Sequence, residues 1–307
     1  MLGSGTASDP YIIQNVTDLQ NMQNSLAAYY ELGNNIDATG FNFIPVGTSL
    51  TPFTGNLNGK SYTVDSLTVT RDGSDNGLFG RTSGANIKNI GLPNINISPT
   101  GVHAGDGGLV GYVVADTTID NCYTTGKVAG DPGSGDSGSN FIGGLIGHGA
   151  SLTISNSYST CSVSGATRVG GFIGTCQGTI DNCYARGSVS GRLDAGGSRV
   201  GGFVGQNSSG STITNVYSTG AVTGNSTWLG GLCGLNSGTI NNSFWDTETS
   251  GMATSDGGTG KTTAQMKTKS TFTNAGWNFT FIWDIDGVTN NGYPFLNERF
   301  IPRIFYF

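Results

Sequence analysis

A five-residue motif constrains this chain more than any other feature: two glycines, two apolar residues and a further glycine. It stands at residues 107–111, 143–147, 170–174, 201–205 and 230–234, and a degenerate copy stands at 76–80. Self-similarity at a spacing of roughly 20 to 50 residues is the signature of solenoids, propellers and repeat arrays. The chain is therefore predicted to stack copies of one structural unit.

Each copy is followed by a second motif in fixed register, Thr-Ile-x-Asn-x-Tyr, which starts at Thr118, Thr153, Thr179, Thr212 and Thr239, the last copy having Phe in place of Tyr. In four copies x-x-Gly-x-Val-x-Gly comes next, with Cys161 once replacing the first Gly. The spacing inside this half is constant, whereas the connecting segments vary in length. Constant strands with variable loops indicate stacked coils whose insertions point outward, and the longest insertion, Asp131–Asn140, is predicted to be an exposed contact loop.

This pattern predicts an all-β fold: a right-handed parallel β-solenoid, or β-helix, with a short capping helix near each end. Residues 1–100 are assigned to an N-terminal cap with a strand, a helix over 18–30 and the first degenerate coils. Residues 101–251 form the repeat solenoid, and residues 252–307 form a C-terminal cap with an apolar tail. Such caps are needed because the open end of a solenoid exposes its core and its strand edges.

The Ile, Asn and Tyr of the second motif share one parity along a strand, so they are predicted to point to one face. Since Ile belongs in the core, the Asn and Tyr are placed inward with it, as a structural ladder in which buried amides bond to one another along the stack. The ladder residues are Ile119, Asn121, Tyr123, Ile154, Asn156, Tyr158, Ile180, Asn182, Tyr184, Ile213, Asn215 and Tyr217. The threonine that opens each copy has the opposite parity and forms a single outward column.

Composition excludes several functions. The chain has a net charge of -6 and only 11% charged residues, so it lacks the basic stripe that nucleic-acid binding needs. It has no run of about 18 apolar residues, so no membrane insertion is expected, and no export signal follows Met1. The five cysteines are an odd number, so at least one has no partner within the chain. Cys122 and Cys183 occupy equivalent positions two repeats apart. Because stacked strands are about 4.8 Å apart, these two cysteines are expected to lie about 10 Å apart, which is too far for a disulfide. They are interpreted as structural thiols.

No catalytic, cofactor or metal site is predicted. The only histidines are His103 and His148, and there is no C-x-x-C pair. The stretch Gly257–Thr262 does not have the glycine spacing of a phosphate-binding loop. Scattered carboxylates form no converging pair of the kind that polysaccharide hydrolysis requires. The chain is therefore predicted not to be an enzyme and to need no cofactor.

The C-terminal segment is apolar for a chain end and is predicted to dock on the cap or on another subunit. Its residues are Phe300, Ile301, Ile304, Phe305, Tyr306 and Phe307.

The repeat resembles the GLUG motif of large bacterial and viral surface proteins. The resemblance is clear over 107–251, and the entry at 5–13 and the exit at 244–251 are similar too. It implies a parallel β-solenoid used as a stalk or adhesive module, sometimes beside a protease domain that this sequence lacks.

The chain is therefore expected to be a non-enzymatic surface protein with a structural or attachment role. A virion component, such as a capsid decoration or a head or tail fibre at the virion surface, is favoured. The alternative is a module of a bacterial cell-surface adhesin that binds glycan or protein; a polysaccharide-degrading enzyme or an ice-binding solenoid is a weaker alternative. Expected partners are other protein subunits, either self or virion or cell-surface proteins, and host glycans.

Overall fold

A computed structural model of the chain describes residues 1–71, 73–100, 104–130, 140–192 and 197–297. The first hundred residues contribute the strands Tyr11–Ile13, Tyr29–Leu32, Ile36–Asp37, Asn56–Asn58, Val64–Asp65, Thr68–Val69, Asp75–Asn76, Phe79–Ser83 and Asn86–Ile97. The repeats contribute Gly105–Gly107, Val110–Ala115, Thr117–Ala129, Phe141–Gly143, Ile146–Ser155, Tyr158–Ser159, Ser162–Ser164, Arg168–Gly170, Ile173–Ala185, Val189–Ser190, Arg199–Gly201, Val204–Asn207, Thr212–Ser218, Val222–Thr223, Trp228–Gly230, Cys233–Asn236, Thr239–Asn241 and Phe244–Asp246. The strands of the last section are Thr259–Lys261, Trp283–Asp284 and Phe295–Leu296.

The strands of the repeats pair in parallel with the equivalent strands one coil away, so each position of the repeat stacks on itself. The clearest stack is a column of apolar residues, mostly Ile, that continues into the degenerate N-terminal coils. Its members are Tyr11, Tyr30, Leu57, Ile87, Ile119, Ile154, Ile180, Ile213 and Ile240. The predicted parallel β-solenoid is confirmed, and its degenerate coils stack in register with the repeats.

The Gly-Gly-φ-φ-Gly motif forms a corner of the coil. The first apolar residue of each copy lies in the core, and the rings of Phe172 and Phe203 stack at 4.7 Å there. The last glycine faces another backbone: a Cβ on Gly174 would lie 2.6 Å from both the Gly147 oxygen and the Ile142 nitrogen. No real Cβ sits so close to backbone atoms, so the corner requires glycine.

A six-stranded parallel sheet leads into these corners. Its strands, here called the corner strands, are Asp75–Asn76, Gly105–Gly107, Phe141–Gly143, Arg168–Gly170, Arg199–Gly201 and Trp228–Gly230. In the three-residue strands the middle residue points into the core and the first residue points away from it; in Asp75–Asn76 the inward position is held by Asn76. This sheet sets the position of the candidate site below.

The predicted inward placement of Asn and Tyr is wrong, and the reason is local. The Asn of every copy has a left-handed backbone, with φ between 47° and 54° from Asn121 to Asn242. Such a residue interrupts the alternation of a strand, so parity cannot be counted across it. After each Asn the inward and outward positions of the strand are exchanged relative to simple alternation. Cys122 is therefore buried in the core, whereas Tyr123 lies on the outer face.

The tyrosines instead form an outer column, here called the tyrosine column: Tyr123, Tyr158, Tyr184 and Tyr217. Neighbouring rings stack with centroids 4.6–5.1 Å apart and planes within 10° of parallel. Tyr123 and Tyr158 are half-buried, whereas Tyr184 and Tyr217 are buried under the C-terminal cap. Stacked rings on adjacent strands stabilise a sheet through cross-strand aromatic contact.

The N-terminal helix is shorter than the predicted span of 18–30. An α-helix covers Val16–Gln20 and a 3-10 turn covers Asn21–Asn24. Its N-cap is Asn15, whose side chain accepts a hydrogen bond from the Asp18 amide at 2.9 Å. Leu19 and Met22 are buried in the core, as a capping helix requires. The helix ends early because the chain then enters the strand Tyr29–Leu32, which pairs with both the first strand and Asn56–Asn58.

The C-terminal section has two parts with different positions. Residues 252–261 lie against the last coil, where a Cβ on Gly258 would contact Leu232 and the strand Thr259–Lys261 pairs with Phe244–Asp246. The remaining elements are the helices Thr247–Ser250, Thr263–Met266 and Lys269–Thr273 and the 3-10 segment Thr289–Gly292. A capping box formed by Thr262 and Gln265 begins the second of these helices.

Residues 266–297 pack on the side of the solenoid and cover half of the tyrosine column. Met266, Phe272, Trp277, Trp283 and Tyr293 form one buried cluster with Tyr184, Tyr217 and Phe244. The C-terminal section therefore covers a lateral face of the solenoid as well as the end of the stack.

We expect the left-handed asparagines to separate into two energetic classes. Asn242 is exposed and has φ of 47°, so Asn242→Gly should leave stability unchanged and Asn242→Ala should cost about 1 kcal/mol. Asn156 also donates to Asp120 at 2.7 Å, so even Asn156→Gly should destabilise the fold. Chemical denaturation followed by circular dichroism measures both effects, and equal stabilities of Asn242→Gly and Asn242→Ala would contradict the conformational explanation.

Candidate functional site

The polar side chains beside the isoleucine column are engaged in hydrogen bonds between coils. Asn121 donates to Asn89 at 3.0 Å, and Asn215 donates to Asp181 at 3.1 Å. With Asn156 bonded to Asp120, the ladder is a mixed chain of amides and carboxylates, not the amide-to-amide stack expected from the sequence. Burial raises the pKa of Asp181, and the hydrogen bond from Asn215 opposes that shift. These groups hold coils together.

The threonine column points outward, as its parity predicts: Thr118, Thr153, Thr179 and Thr239 are exposed and Thr212 is half-buried. The neighbouring outward position, two residues along the strand, is occupied by Asp120, Ser155, Asp181, Thr214 and Asn241. This second column has two carboxylates, so the regular pair of threonine columns associated with ice binding is not formed.

All five cysteines are free and buried. Burial raises the pKa of Cys161 to about 11 and the pKa of Cys176 to about 12, so both remain thiols at neutral pH. Cys122 and Cys183 have Ser157 between them, whose hydroxyl accepts from the Cys122 amide at 3.1 Å. The cysteines therefore act as small core residues, in line with the sequence.

Two surface depressions lie near the N-terminal coils. Tyr29, Glu31 and Lys88 are among the residues that line the first. Asp37 and Asp65 contribute carboxylates to the second, where Asp65 accepts a hydrogen bond from Asn94 at 2.8 Å. Within the described ranges, no group of three His, Cys, Asp or Glu side chains is arranged to hold a metal ion.

The most distinctive surface follows the corner strands. The first residue of a corner strand and the residue that follows the corner both point outward, and six coils align them into one row. We call this row the arginine–aromatic edge; it consists of Asp75, Arg81, Tyr112, Phe141, His148, Arg168, Arg199, Gln206 and Trp228.

In the first half of the edge one cation is followed by three aromatic rings. Arg81 pairs with Asp75 at 2.5 Å and lies over the Tyr112 ring at 4.6 Å. The Tyr112 ring stacks on His148 with centroids 4.3 Å apart. The His148 ring then meets the edge of Phe141 at 4.5 Å. Each contact links one coil to the next or joins the two sides of one corner, so the row is continuous.

The second half of the edge contains two arginines on adjacent coils. Arg168 lies over the Phe141 ring at 4.9 Å, and its Nε donates to Gln206 at 2.7 Å. Arg199 is its direct partner in the parallel register and lies 5.4 Å from the ring of Trp228. Burial and the neighbouring Arg199 charge lower the pKa of Arg168. The Arg199 Nε is buried and has no acceptor among the described residues.

The electrostatics of the edge keep its histidine neutral. Burial, together with the charges of Arg168 and Arg81, lowers the pKa of His148 to about 4. At neutral pH its buried ring is therefore an uncharged aromatic group between the two cations. The edge as a whole presents three guanidinium groups in a chain whose net charge is -6.

A buried polar pair lies beneath the edge. Asn76 and Asp106 occupy the inward position that later coils fill with Ile142, Val169 and Val200. Asn76 donates to Asp106 at 2.8 Å. Burial raises the pKa of Asp106 to about 7, because a charged carboxylate is costly in this core position.

Comparison with known proteins matches three segments of the chain to the GLUG motif: residues 107–129, 165–190 and 196–223. The chain carries GLUG repeats. The matched segments coincide with the corner, isoleucine column and tyrosine column described above, so the motif encodes one coil of this solenoid.

Relatives of this GLUG-repeat chain are longer proteins. A protein of Evansella cellulosilytica, provisionally named a Gly-rich membrane protein, is 30% identical over 95% of this chain, which spans 45% of that protein. Halomucin of Haloquadratum walsbyi is 30% identical over 97% of this chain, which spans 3% of halomucin. The chain thus spans less than half of either relative.

A solved structure shares the fold. A Bacteroides ovatus protein, provisionally described as an immunoglobulin A1 protease, is 26% identical with a TM-score of 0.73, covering 96% of this chain and 94% of that one. Together these similarities identify a surface-type β-solenoid repeat protein. In the part of the chain that the structure describes, no helix is long and apolar enough to cross a membrane.

The edge was missed in the sequence although a signal for it exists. In the five copies of the motif the residue two places before the Gly-Gly pair is Gly105, Phe141, Arg168, Arg199 or Trp228. These side chains differ between copies, so a search for repeated identity overlooks them. The predicted docking tail, residues 300–307, lies outside the described residues, and so does the insertion loop up to residue 139.

We expect His148 to make stability depend on pH. Its pKa is near 4 in the fold and near 6.5 in the unfolded chain, so the neutral ring stabilises the fold above about pH 6.5, and this contribution falls as pH drops toward 4. Between pH 7 and pH 4.5 the wild type should lose about 2 kcal/mol more stability than His148→Phe.

Urea denaturation at the two pH values gives this difference, and Asp106, present in both proteins, cancels from it. An equal loss in wild type and variant would contradict the lowered pKa of His148.

Proposed function

We propose that the chain is a rigid, non-enzymatic attachment module of a cell-surface protein and that the arginine–aromatic edge is its contact surface. The observation that carries the proposal is the alignment of cations and rings into one row along six coils, in which Trp228 is exposed and the three arginines are half-buried. Strands in neighbouring coils are about 4.8 Å apart, so the row extends over about 24 Å. A surface of that length suits an extended ligand.

The cell-surface setting is supported by the relatives. One is named as a Gly-rich membrane protein and the other as a halomucin, and neither name refers to a virus particle. We therefore prefer the cell-surface module, which the sequence placed second, to the virion component that it placed first.

The non-enzymatic role is supported by the use of the polar groups. Asp120 and Asp181 accept hydrogen bonds from asparagines of the next coil, and Asp246 accepts from Thr263 and Tyr293. Carboxylates committed to structural hydrogen bonds are poorly placed to transfer protons to a substrate. The name of the Bacteroides ovatus neighbour describes that protein, and its likeness to this chain is a likeness of the solenoid.

We expect beads coated with the purified chain to be retained on extracellular material from the producing cells. Arg168→Gln with Arg199→Gln should reduce retention several-fold, because both cations of the second half of the edge are lost. The charge-matched control is Lys88→Gln with Lys127→Gln, since both lysines are exposed on other faces. Counting beads under shear measures retention.

Retention that is absent, or equal in the edge variant and the wild type, would refute the attachment role of the edge. Immunogold label on purified virus particles would restore the virion setting. Release of fragments from immunoglobulin A1 or from a polysaccharide, followed by gel electrophoresis or reducing-end assay, would overturn the non-enzymatic assignment.

A further inference from the structure

The second half of the arginine–aromatic edge has the features of a subsite for one class of ligand. Arg168 and Arg199 stand on adjacent coils, and Trp228 follows on the next. Trp228 is 39% exposed, unlike the buried aromatic residues of the core. A cationic pair beside an exposed indole is unusual on an acidic protein in which charged residues are scarce.

The guanidinium of Arg199 has an unused donor. Its Nε is buried but donates to no described acceptor. A buried donor without an acceptor costs on the order of 1–3 kcal/mol, so a ligand that draws this guanidinium outward and accepts its hydrogen bonds would recover that cost. The partner must supply acceptors, and a carboxylate fits the planar fork of an arginine best.

The aromatic residue beside the arginines indicates that the ligand has an apolar face as well as a negative charge. Arg199 lies over Trp228, which leaves part of the indole open to solvent. An exposed indole with an apolar face and a polar N–H contacts the C–H face of a sugar ring well, since both surfaces are amphipathic. Gln206, held by Arg168, adds an amide beside the two cations for hydroxyl groups.

We propose that this subsite binds a linear acidic polysaccharide, with uronate carboxylates on Arg168 and Arg199 and a sugar ring against Trp228. Arg168 and Arg199 are register partners on neighbouring strands, which lie about 4.8 Å apart, so consecutive sugars of a polymer can follow the edge. A polyphosphate is disfavoured because it has no sugar ring to pack against Trp228. This inference rests on the proposed attachment function and names its ligand class.

We expect the purified chain to bind polygalacturonate in isothermal titration calorimetry at low salt and to bind neutral dextran much more weakly. Arg168→Gln with Arg199→Gln should weaken polygalacturonate binding by about tenfold or more, because two charge-assisted contacts are lost. Trp228→Ala should weaken it by several-fold, and added salt should weaken the wild type. Lys88→Gln with Lys127→Gln, which removes the same charge, should bind as the wild type does.

Thermal unfolding of each variant shows that it is folded, and Trp228→Ala tests the site independently because that side chain is exposed. Equal losses in the arginine and lysine variants would mean non-specific charge attraction and overturn the subsite. Tighter binding of a thymidine oligonucleotide or of polyglutamate than of polygalacturonate would overturn the ligand class. If polygalacturonate does not bind but bead retention still depends on the edge, the ligand class is wrong and the attachment function stands; if bead retention also fails, both are wrong.

Discussion

Contact between backbones at the corners of the coil is the constraint on which the structure depends. At Gly174 a single added carbon would lie 2.6 Å from backbone atoms of two other residues, Gly147 and Ile142. Because the corner has no room for a side chain, each coil must turn at the same place in its sequence. Coils that turn at the same place stack in register, and the columns of the core follow from that register.

Register also explains how a chain of weakly charged, glycine-rich repeats can build an extended surface. A residue at an outward position needs no neighbour in the sequence, since its neighbour is supplied by the next coil. Tyr112 thus stacks on His148, although 35 residues separate them in the chain. The core columns tolerate little variation, whereas the outward positions can change one at a time while remaining aligned.

The fold class, the isoleucine column and the buried cysteines could be predicted because they follow from spacing and from alternation along a strand. The placement of Asn121 and Tyr123 could not be predicted by counting alternate residues, because the left-handed backbone of Asn121 interrupts the alternation of inward and outward side chains. The preference of asparagine for that conformation was the available cue. The lateral position of the C-terminal cap depends on contacts such as Trp283 with Asn182, about a hundred residues apart, which no local pattern contains. The arginine–aromatic edge could not be predicted because its residues share a position in the repeat but differ in amino-acid type from copy to copy.

The lateral cap has a mechanical consequence for a chain displayed at a surface. Trp283 donates to Asn182, Tyr217 donates to the Pro294 carbonyl, and Tyr293 donates to Asp246, so residues 283–294 are joined to three successive coils. A pulling force applied beyond Asn297 is therefore distributed over several coils and does not act on the last strand alone. The terminal coil cannot peel away until the cap has detached from the side of the stack. Tension on this end of the chain is thus shared among contacts to several coils at once.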